Sequence, residues 1–207
     1  MILNIIYVLL FICIVYYVYR CYATMNTEGF EPCYACSKKL PCQCNKFNKF
    51  NKELIKVWVS HLLYTRLVCM AFLTGDRSLS FLVDRLLQNQ KDIGKIMENK
   101  YGSEVGKTIT DALVKHITIA TAVLTAVKSN NKVEQIKSID EFYSNANDIG
   151  IYLDKLLHVT KFTHHMKIHI KSLVDDVLAF KNYNYQGDIQ KLDIYVDAGL
   201  DMVFDMI

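Results

Sequence analysis

Residues 53–73 read ELIKVWVSHLLYTRLVCMAFL, and this segment decides the fold class of the chain. Its apolar residues recur at spacings of three and four, which is typical of a helix with one face in a protein core. No proline follows Pro41 and glycine is sparse, whereas an interior proline costs a helix about 3 kcal/mol. The sequence therefore predicts an all-α domain over residues 53–207.

Short polar or glycine-containing breaks divide this domain into helices. They lie at 74–76, 101–103, 129–131 and 185–187, with a further break near 157–160. The segments between them keep the helical spacing of apolar residues. The sequence thus predicts six helices, at 53–73, 77–98, 104–128, 132–157, 161–181 and 187–206.

Residues recur at constant offsets along the domain. When His61, His116 and His169 are aligned, each copy carries an alanine ten residues later. The first two copies share Asn-x-x-Asp-Ile-Gly, at 89–94 and 145–150, after a one-residue insertion. Copies two and three share Lys128 with Lys181, Ile136 with Ile189, Asp140 with Asp193, and Asp148 with Asp201.

Such a repeat predicts hairpins that share one core, because a single helical hairpin buries little apolar surface. We therefore expect a six-helix bundle built from three repeated helical hairpins. Their predicted ranges are about 53–98, 104–157 and 161–207.

The aligned positions carry residues that could bind a metal ion. His61, His116 and His169 occupy the first helix of each predicted hairpin. Aspartates occupy the second helices, at Asp92, Asp148 and Asp201. Three imidazoles and a carboxylate suit zinc or another divalent transition metal. Alternatively, each histidine donates a hydrogen bond to the aspartate or to a backbone carbonyl within its own hairpin.

The segment 1–22 predicts a membrane anchor. Residues 1–19 contain no charged side chain, and at about 1.5 Å per residue they just cross a hydrocarbon core of about 30 Å. A cleaved signal peptide is the alternative, but the segment lacks the cationic start of such signals. We therefore expect one uncleaved transmembrane helix.

Charge is concentrated in the Cys- and Lys-rich linker, 23–52, that follows the anchor. Residues 1–52 hold six basic and two acidic residues (+4), which leaves 18 basic and 19 acidic residues (−1) for the rest. Cationic flanks stay on the cytoplasmic side, so this single-pass protein is expected to have a cytoplasmic C-terminal domain. The near-neutral domain does not favour nucleic-acid binding.

Four cysteines of the linker lie close together. Cys33, Cys36, Cys42 and Cys44 are spaced Cys-x2-Cys-x5-Cys-x-Cys, four thiols within twelve residues. They could bind zinc in a reducing compartment, or form two disulfides in an oxidising one. Unpaired or lipidated thiols are the third possibility.

The motif Trp58-x2-His61-x3-Thr65-Arg66 resembles the opening of a family of small, all-helical, uncharacterised proteins of Bacillus-type spore-forming bacteria. The resemblance implies a helical bundle and no particular activity. The Lys/Asn/Ile/Tyr-rich composition with an N-terminal anchor is also similar to proteins of large AT-rich DNA viruses, which implies a virion or host-membrane component. The resemblance to the bacterial family spans about 55–205 and continues at 84–89, Asp92, His116 and 143–149.

The sequence contains no nucleophile elbow, phosphate loop or dinucleotide fingerprint. The leading hypothesis is therefore a non-enzymatic, membrane-anchored structural or protein-interaction module that binds a protein partner or a second copy of itself. The alternative is a metal-binding helical bundle, an enzyme or a sensor, that uses His61, His116 and His169.

Overall fold

The computed structural model describes residues 49–207, whose regular structure is entirely helical. The predicted all-α fold is confirmed for this range, which contains six helices and no strand. The predicted anchor (1–22) and nearly all of the linker (23–52) lie outside the described residues. The helices are α1 Lys49–Thr74, α2 Leu79–Tyr101, α3 Ser103–Lys128, α4 Lys132–Leu157, α5 Phe162–Lys181 and α6 Tyr185–Asp205.

The six helices form a closed ring. Each helix packs against the next one along the chain, and α6 packs back against α1. Helices α1, α3 and α5 also contact one another, whereas α2, α4 and α6 make no such contacts within residues 49–207. The ring therefore has three inner helices, which are the first helices of the predicted hairpins.

Two of the described helices, α1 and α3, are long and apolar enough to cross a membrane. Both are inner helices that pack against four others, so a core position accounts for their apolar composition. They also bury His61 and His116, which a lipid-facing helix surface would not favour. The two helices are weak evidence for membrane association.

The core is continuous along the inner face of the ring. Trp58, which is 4% exposed, lies in it as expected of a core anchor, and its ring meets Phe162 edge-on with centroids 6.3 Å apart. Each large apolar side chain buried in this way contributes about 1.5–3 kcal/mol. Tight packing is thus the main source of stability of the bundle.

Two glycines of the Asn-x-x-Asp-Ile-Gly motif allow consecutive hairpins to approach closely. A Cβ atom on Gly94 would lie 2.9 Å from the carbonyl oxygen of Gly106. A Cβ atom on Gly150 would lie 2.7 Å from Cα of Thr163. Both obstacles are backbone atoms, so the next helix would have to move to make room for a side chain.

We predict that Gly150→Ala destabilises the bundle by about 1–3 kcal/mol through overpacking, although alanine is the better helix former by about 1 kcal/mol. Urea unfolding of the full chain in mild detergent, followed by the fluorescence of its single tryptophan, measures this. Gly199→Ala is the control, because its new Cβ would meet only the side chain of Leu62, which can move. An unchanged or higher midpoint for Gly150→Ala would contradict the close approach.

Lys49, the first described residue, is already helical, four residues before the predicted domain boundary. Phe50 packs edge-on against Tyr101, with ring centroids 6.4 Å apart, and Asn51 is buried. Lys49 pairs with Glu53 at 3.7 Å. Packing against α2 thus extends the helix into Lys- and Asn-rich sequence that resembles a linker.

The turn between α5 and α6 also differs from the prediction. The break expected at 185–187 lies instead at 182–184, where Tyr183 has a φ of 59°. The side chain of Asn184 accepts a hydrogen bond from the backbone N–H of Gly187 at 3.0 Å and caps α6. Gly187 therefore belongs to the first turn of the helix.

Candidate functional site

Three buried histidines lie on the three inner helices. His61 on α1, His116 on α3 and His169 on α5 are 6%, 3% and 2% exposed. The ring centroids of His61 and His169 are 6.4 Å apart. The structure thus brings the histidines that the sequence aligns into the interior of one bundle.

Each histidine contacts the second helix of its own hairpin. Nδ1 of His116 donates to Oδ1 of Asn145 at 2.7 Å. The partner of His61 on α2 is Gln90, the residue after Asn89 of the shared motif, whereas the side-chain amide of Asn89 donates to the carbonyl oxygen of Val57. Nδ1 of His169 faces the carbonyl oxygen of Tyr195 at 3.4 Å. A motif asparagine therefore orients one of the imidazoles, that of His116.

Neighbouring side chains fix the ring planes further. The ring of Tyr195 stacks on His169 with centroids 4.4 Å apart, and Phe142 lies at the same distance from His116. Nε2 of Gln90 approaches Nδ1 of His61 at 3.2 Å. The imidazoles are thus held by packing as well as by hydrogen bonds.

Burial keeps these histidines neutral. Desolvation lowers the pKa of His61 and of His116 to about 4, and it lowers the pKa of His169 well below its usual value. Repulsion between positive charges on neighbouring rings lowers these pKa values further. His116 lowers the pKa of His61 in this way, and His61 and His116 both lower that of His169. Neutral imidazole is the form that binds metal ions.

The aspartates of the predicted metal set do not join the histidines. Asp92 is half-buried and pairs with Arg85 at 3.2 Å, while Asp148 and Asp201 are exposed. The predicted hydrogen bond from histidine to aspartate is therefore wrong: His116 bonds to the asparagine three residues before the aspartate, and His61 contacts Gln90. The other predicted partner, a backbone carbonyl of the same hairpin, is the one that His169 faces.

Residues 49–207 contain no group of three or more His, Cys, Asp or Glu side chains placed to hold a metal ion. The metal site at the three histidines stays a prediction. The rings would have to move before they could bind one ion. Cys69 is buried in this range and burial raises its pKa to about 12, so its thiol is unreactive. The cysteines of the predicted linker site, Cys33, Cys36, Cys42 and Cys44, lie outside the described residues.

Several polar atoms close to the histidines are buried without a hydrogen-bond partner. Trp58 and His61 have ring centroids 6.0 Å apart, and Tyr195 stacks on His169. A buried unsatisfied polar group costs about 1–3 kcal/mol, which is large beside a total stability of about 5–15 kcal/mol. The unpartnered atoms are Trp58 Nε1, Thr65 Oγ1, Gln90 Oε1, Asp176 Oδ1 and Tyr195 Oη.

A buried ion-pair network continues from this region. Nη1 of Arg66 donates to Oδ2 of Asp176 at 2.5 Å, and Nη2 donates to the Asp188 carboxylate at 2.7 and 2.9 Å. Desolvation and a hydrogen bond to Asp188 raise the pKa of Asp176 to about 8, despite the opposing charge of Arg66. The network was not predicted, although its arginine is the last residue of the Trp-x2-His-x3-Thr-Arg motif.

A second region of interest lies on the surface. It is at the end of the bundle that carries the three hairpin turns, 74–79, 128–132 and 181–185. Since successive helices reverse direction, these turns share one end of the bundle, away from the start of α1. Large apolar side chains are exposed there, and we call them the turn-end surface: Phe81 (76% exposed), Val133 (74%), Ile136 (65%), Tyr183 (79%), Tyr185 (53%) and Ile189 (53%).

The turn-end surface is surrounded by positive charge. Residues 74–81, 128–137 and 181–189 hold five basic residues and three acidic ones, of which Asp188 is already paired with Arg66. Without Asp188, these segments hold five basic and two acidic residues, so their net charge is +3. The basic residues are Arg77, Lys128, Lys132, Lys137 and Lys181.

A cleft of about 270 Å³ lies between α3 and α4. Its walls include Lys115, Asp148 and Tyr152 around an apolar floor. Asn145, the hydrogen-bond partner of His116, also lines it. The cleft thus reaches a residue that orients one of the buried histidines.

The chain matches no protein-family model, no curated protein and no solved structure. The resemblance to the Bacillus-type family therefore stays a prediction, and function has to be argued from the residues themselves.

Proposed function

We propose that this protein is a membrane-tethered interaction module, whose helical bundle binds a protein partner through the turn-end surface. The observation that carries the proposal is the exposure of Phe81, Ile136 and Ile189 at one end of an otherwise well-packed bundle. The three side chains lie in the first two turns of α2, α4 and α6, which begin at the same end of the bundle, and apolar side chains exposed among polar groups in this way are typical of interaction sites.

The tether in this proposal is the segment 1–22, which acts as a single-pass anchor and leaves the bundle on the cytoplasmic side. Its support is the uncharged run of residues 1–19 and the excess of positive charge in the linker. Within a large AT-rich DNA virus, such a protein would sit in a virion or host membrane.

The repeated hairpin explains why the surface has three similar parts. Phe81, Ile136 and Ile189 are separated by 55 and 53 residues, which are the offsets between His61, His116 and His169. Three copies of one hairpin in a ring would display the same exposed position three times at the same end. Support for the repeat comes from the burial of His61, His116 and His169 on the three inner helices.

The charge of the surface specifies the kind of partner. Apolar side chains surrounded by a charge of +3 suit a segment that combines apolar anchors with acidic residues. We therefore propose an acidic, amphipathic protein segment as the occupant. An anionic membrane surface and a second copy of the chain are the competing occupants, and the experiment below separates them.

The test uses the full chain in its native membrane with a photo-crosslinking amino acid at Ile136 or Ile189. We expect both positions to crosslink to the same acidic segment of one protein, mapped by mass spectrometry. A probe at Ile151 is the matched control, because it is 55% exposed on α4 but lies outside the turn-end surface. Binding should weaken as salt is raised, because salt screens exposed charges.

Three results would overturn this proposal. Crosslinks to lipid would make the surface a membrane-docking site, and crosslinks to the same chain would make it a self-association interface. Equal labelling from Ile136 and Ile151 would show that the surface has no preferred partner.

A further inference from the structure

We propose that the cleft between α3 and α4 binds a free apolar α-amino acid of about the size of leucine. This site is separate from the turn-end surface, because the residues that line the cleft lie at 108–115 and 145–153. It would add recognition of a small molecule to the interaction module.

The cleft is a particular feature of the second hairpin. At the offsets that align the three histidines, Ala112 corresponds to Val57 in the first hairpin and to His165 in the third, and Tyr152 corresponds to Asp205. Nδ1 of His165 donates to Oδ2 of Asp205 at 2.8 Å, so these two side chains bridge α5 and α6. Alanine cannot form such a bridge, and the corresponding space between α3 and α4 stays open.

The side-chain amide of Asn145 provides a hydrogen-bond donor in the wall of the cleft. Asn145 is 7% exposed, and its Oδ1 accepts the hydrogen bond of His116. The corresponding amide of Asn89 in the first hairpin donates to the carbonyl oxygen of Val57 at 2.9 Å.

The amide nitrogen of Asn145 has no such partner. Nδ2 of Asn145 donates to no other group of residues 49–207, and it is not among the polar atoms that are sealed from solvent. A nearly buried donor is normally satisfied. We therefore expect an acceptor atom of a ligand beside this nitrogen.

Two opposite charges at the rim specify the rest of the polar part of the ligand. Lys115 on α3 and Asp148 on α4 line the cleft, both are exposed, and neither forms an ion pair within residues 49–207. Asp148 follows Asn145 by three residues, or about 4.5 Å along the helix axis. A ligand that meets all three groups needs an anionic acceptor and a cation close together.

An α-amino acid has this arrangement. Its carboxylate would accept hydrogen bonds from the amide of Asn145 and the ammonium group of Lys115, and its own ammonium group would pair with Asp148. A simple carboxylic acid would leave Asp148 unmatched and close to a like charge. The zwitterion therefore fits better than either an acid or an amine.

The remaining lining requires an apolar side chain on the ligand. At about 30 Å³ for each molecule of liquid water, the volume of about 270 Å³ holds about nine non-hydrogen atoms, as many as leucine has. Glycine and the polar amino acids would leave the apolar wall without a contact. That wall is formed by Ile109, Leu113, Ile149 and Leu153.

The experiment is equilibrium dialysis of the full chain, in phosphatidylcholine nanodiscs, against radiolabelled L-leucine. We expect one equivalent of leucine per chain. Glycine lacks the apolar side chain, and 4-methylpentanoate is leucine without its ammonium group. Each should compete about tenfold more weakly than leucine, or worse, because each leaves part of the site unmatched.

Two variants test the lining. Ala112→Leu should abolish binding, because its side chain fills the cleft. Lys115→Met should weaken binding about tenfold or more, because it removes the cation beside the ligand carboxylate. Lys107→Met is the matched control, because Lys107 is an exposed lysine of the same helix that pairs with Asp111 and does not line the cleft.

Circular dichroism shows whether each variant folds. If Ala112→Leu does not, Lys115→Met tests the same site at an exposed position. No uptake of leucine, isoleucine or valine, or uptake that Lys115→Met leaves unchanged, would overturn the site. Equal competition by 4-methylpentanoate would overturn the assignment to an amino acid. None of these results bears on the crosslinks at the turn-end surface.

Discussion

Lowering the pH from 7 to 5 should destabilise the helical bundle, by at least about 1 kcal/mol. Burial lowers the pKa of His61 and His116 from 6.5 to about 4 and moves that of His169 in the same direction. Between pH 6.5 and 4 the unfolded chain therefore binds more protons than the folded one, so stability falls as the pH falls. From pH 7 to 5, His61 and His116 account for about 2 kcal/mol each, and His169 adds to the loss.

Asp176 acts in the opposite direction. Because its pKa is raised from 3.8 to about 8, the folded state holds a proton that the unfolded state has lost, and this contribution disappears as the pH rises through 8. Acidification from pH 7 to 5 therefore raises the contribution of Asp176 to the free energy of unfolding by roughly 2–3 kcal/mol. Three histidines outweigh one carboxyl, so a net loss of stability remains.

Urea unfolding at pH 7, 6 and 5, followed by the fluorescence of Trp58, measures the effect, because this single tryptophan is buried in the core. His116→Gln should reduce the pH dependence by about 2 kcal/mol, since it removes one titrating group. His164→Gln changes an exposed histidine and should leave the dependence as it is. A bundle that is equally stable at pH 7 and pH 5 would show that the imidazoles are already charged or hydrated.

The helices of this fold could be predicted because each one repeats apolar residues at helical spacing. Glycine and asparagine marked the turns near Gly75 and Asn130, which both have positive φ. The structure differs from the predicted helix bounds at 49–52 and at 182–187. At both places, packing against another helix or a capping side chain stabilises helical backbone, and residue composition does not reveal such contacts.

The candidate site could be predicted only in part. Equal offsets along the chain placed His61, His116 and His169 at corresponding positions, and all three are buried. The expected aspartate partners were wrong, because a residue only three positions away on a helix, such as Asp148 relative to Asn145, can be exposed while its neighbour is buried. Helical periodicity gives the approximate face of a helix, and it does not identify the hydrogen-bond partner.

The Arg66 network lay beyond prediction for a different reason. Its carboxylates are 110 and 122 residues away from Arg66 along the chain. No local pattern links such distant residues, and each of them alone resembles an ordinary surface charge. Only the closure of the ring, in which α1 meets both α5 and α6, brings them together.

Arg66→Leu should cost about 3–5 kcal/mol of stability, because it leaves the buried carboxylate of Asp188, and the buried carboxyl of Asp176 beside it, without the guanidinium. The Asp176 side chain is 0% exposed and that of Asp188 is 6% exposed, so water cannot replace the guanidinium. Arg85→Leu is the matched control. Its ion pair with Asp92 is more than one-third exposed on both sides and should be worth less than about 1 kcal/mol.

Changing Arg66, Asp176 and Asp188 together to leucine should restore most of the stability that Arg66→Leu removes, because no charge is then left in the interior. Urea unfolding of the full chain in detergent, with Arg66→Leu, Arg85→Leu and the triple variant side by side, distinguishes these effects. If Arg66→Leu and Arg85→Leu cost the same, the Arg66 network is hydrated, and its carboxylates do not depend on the arginine.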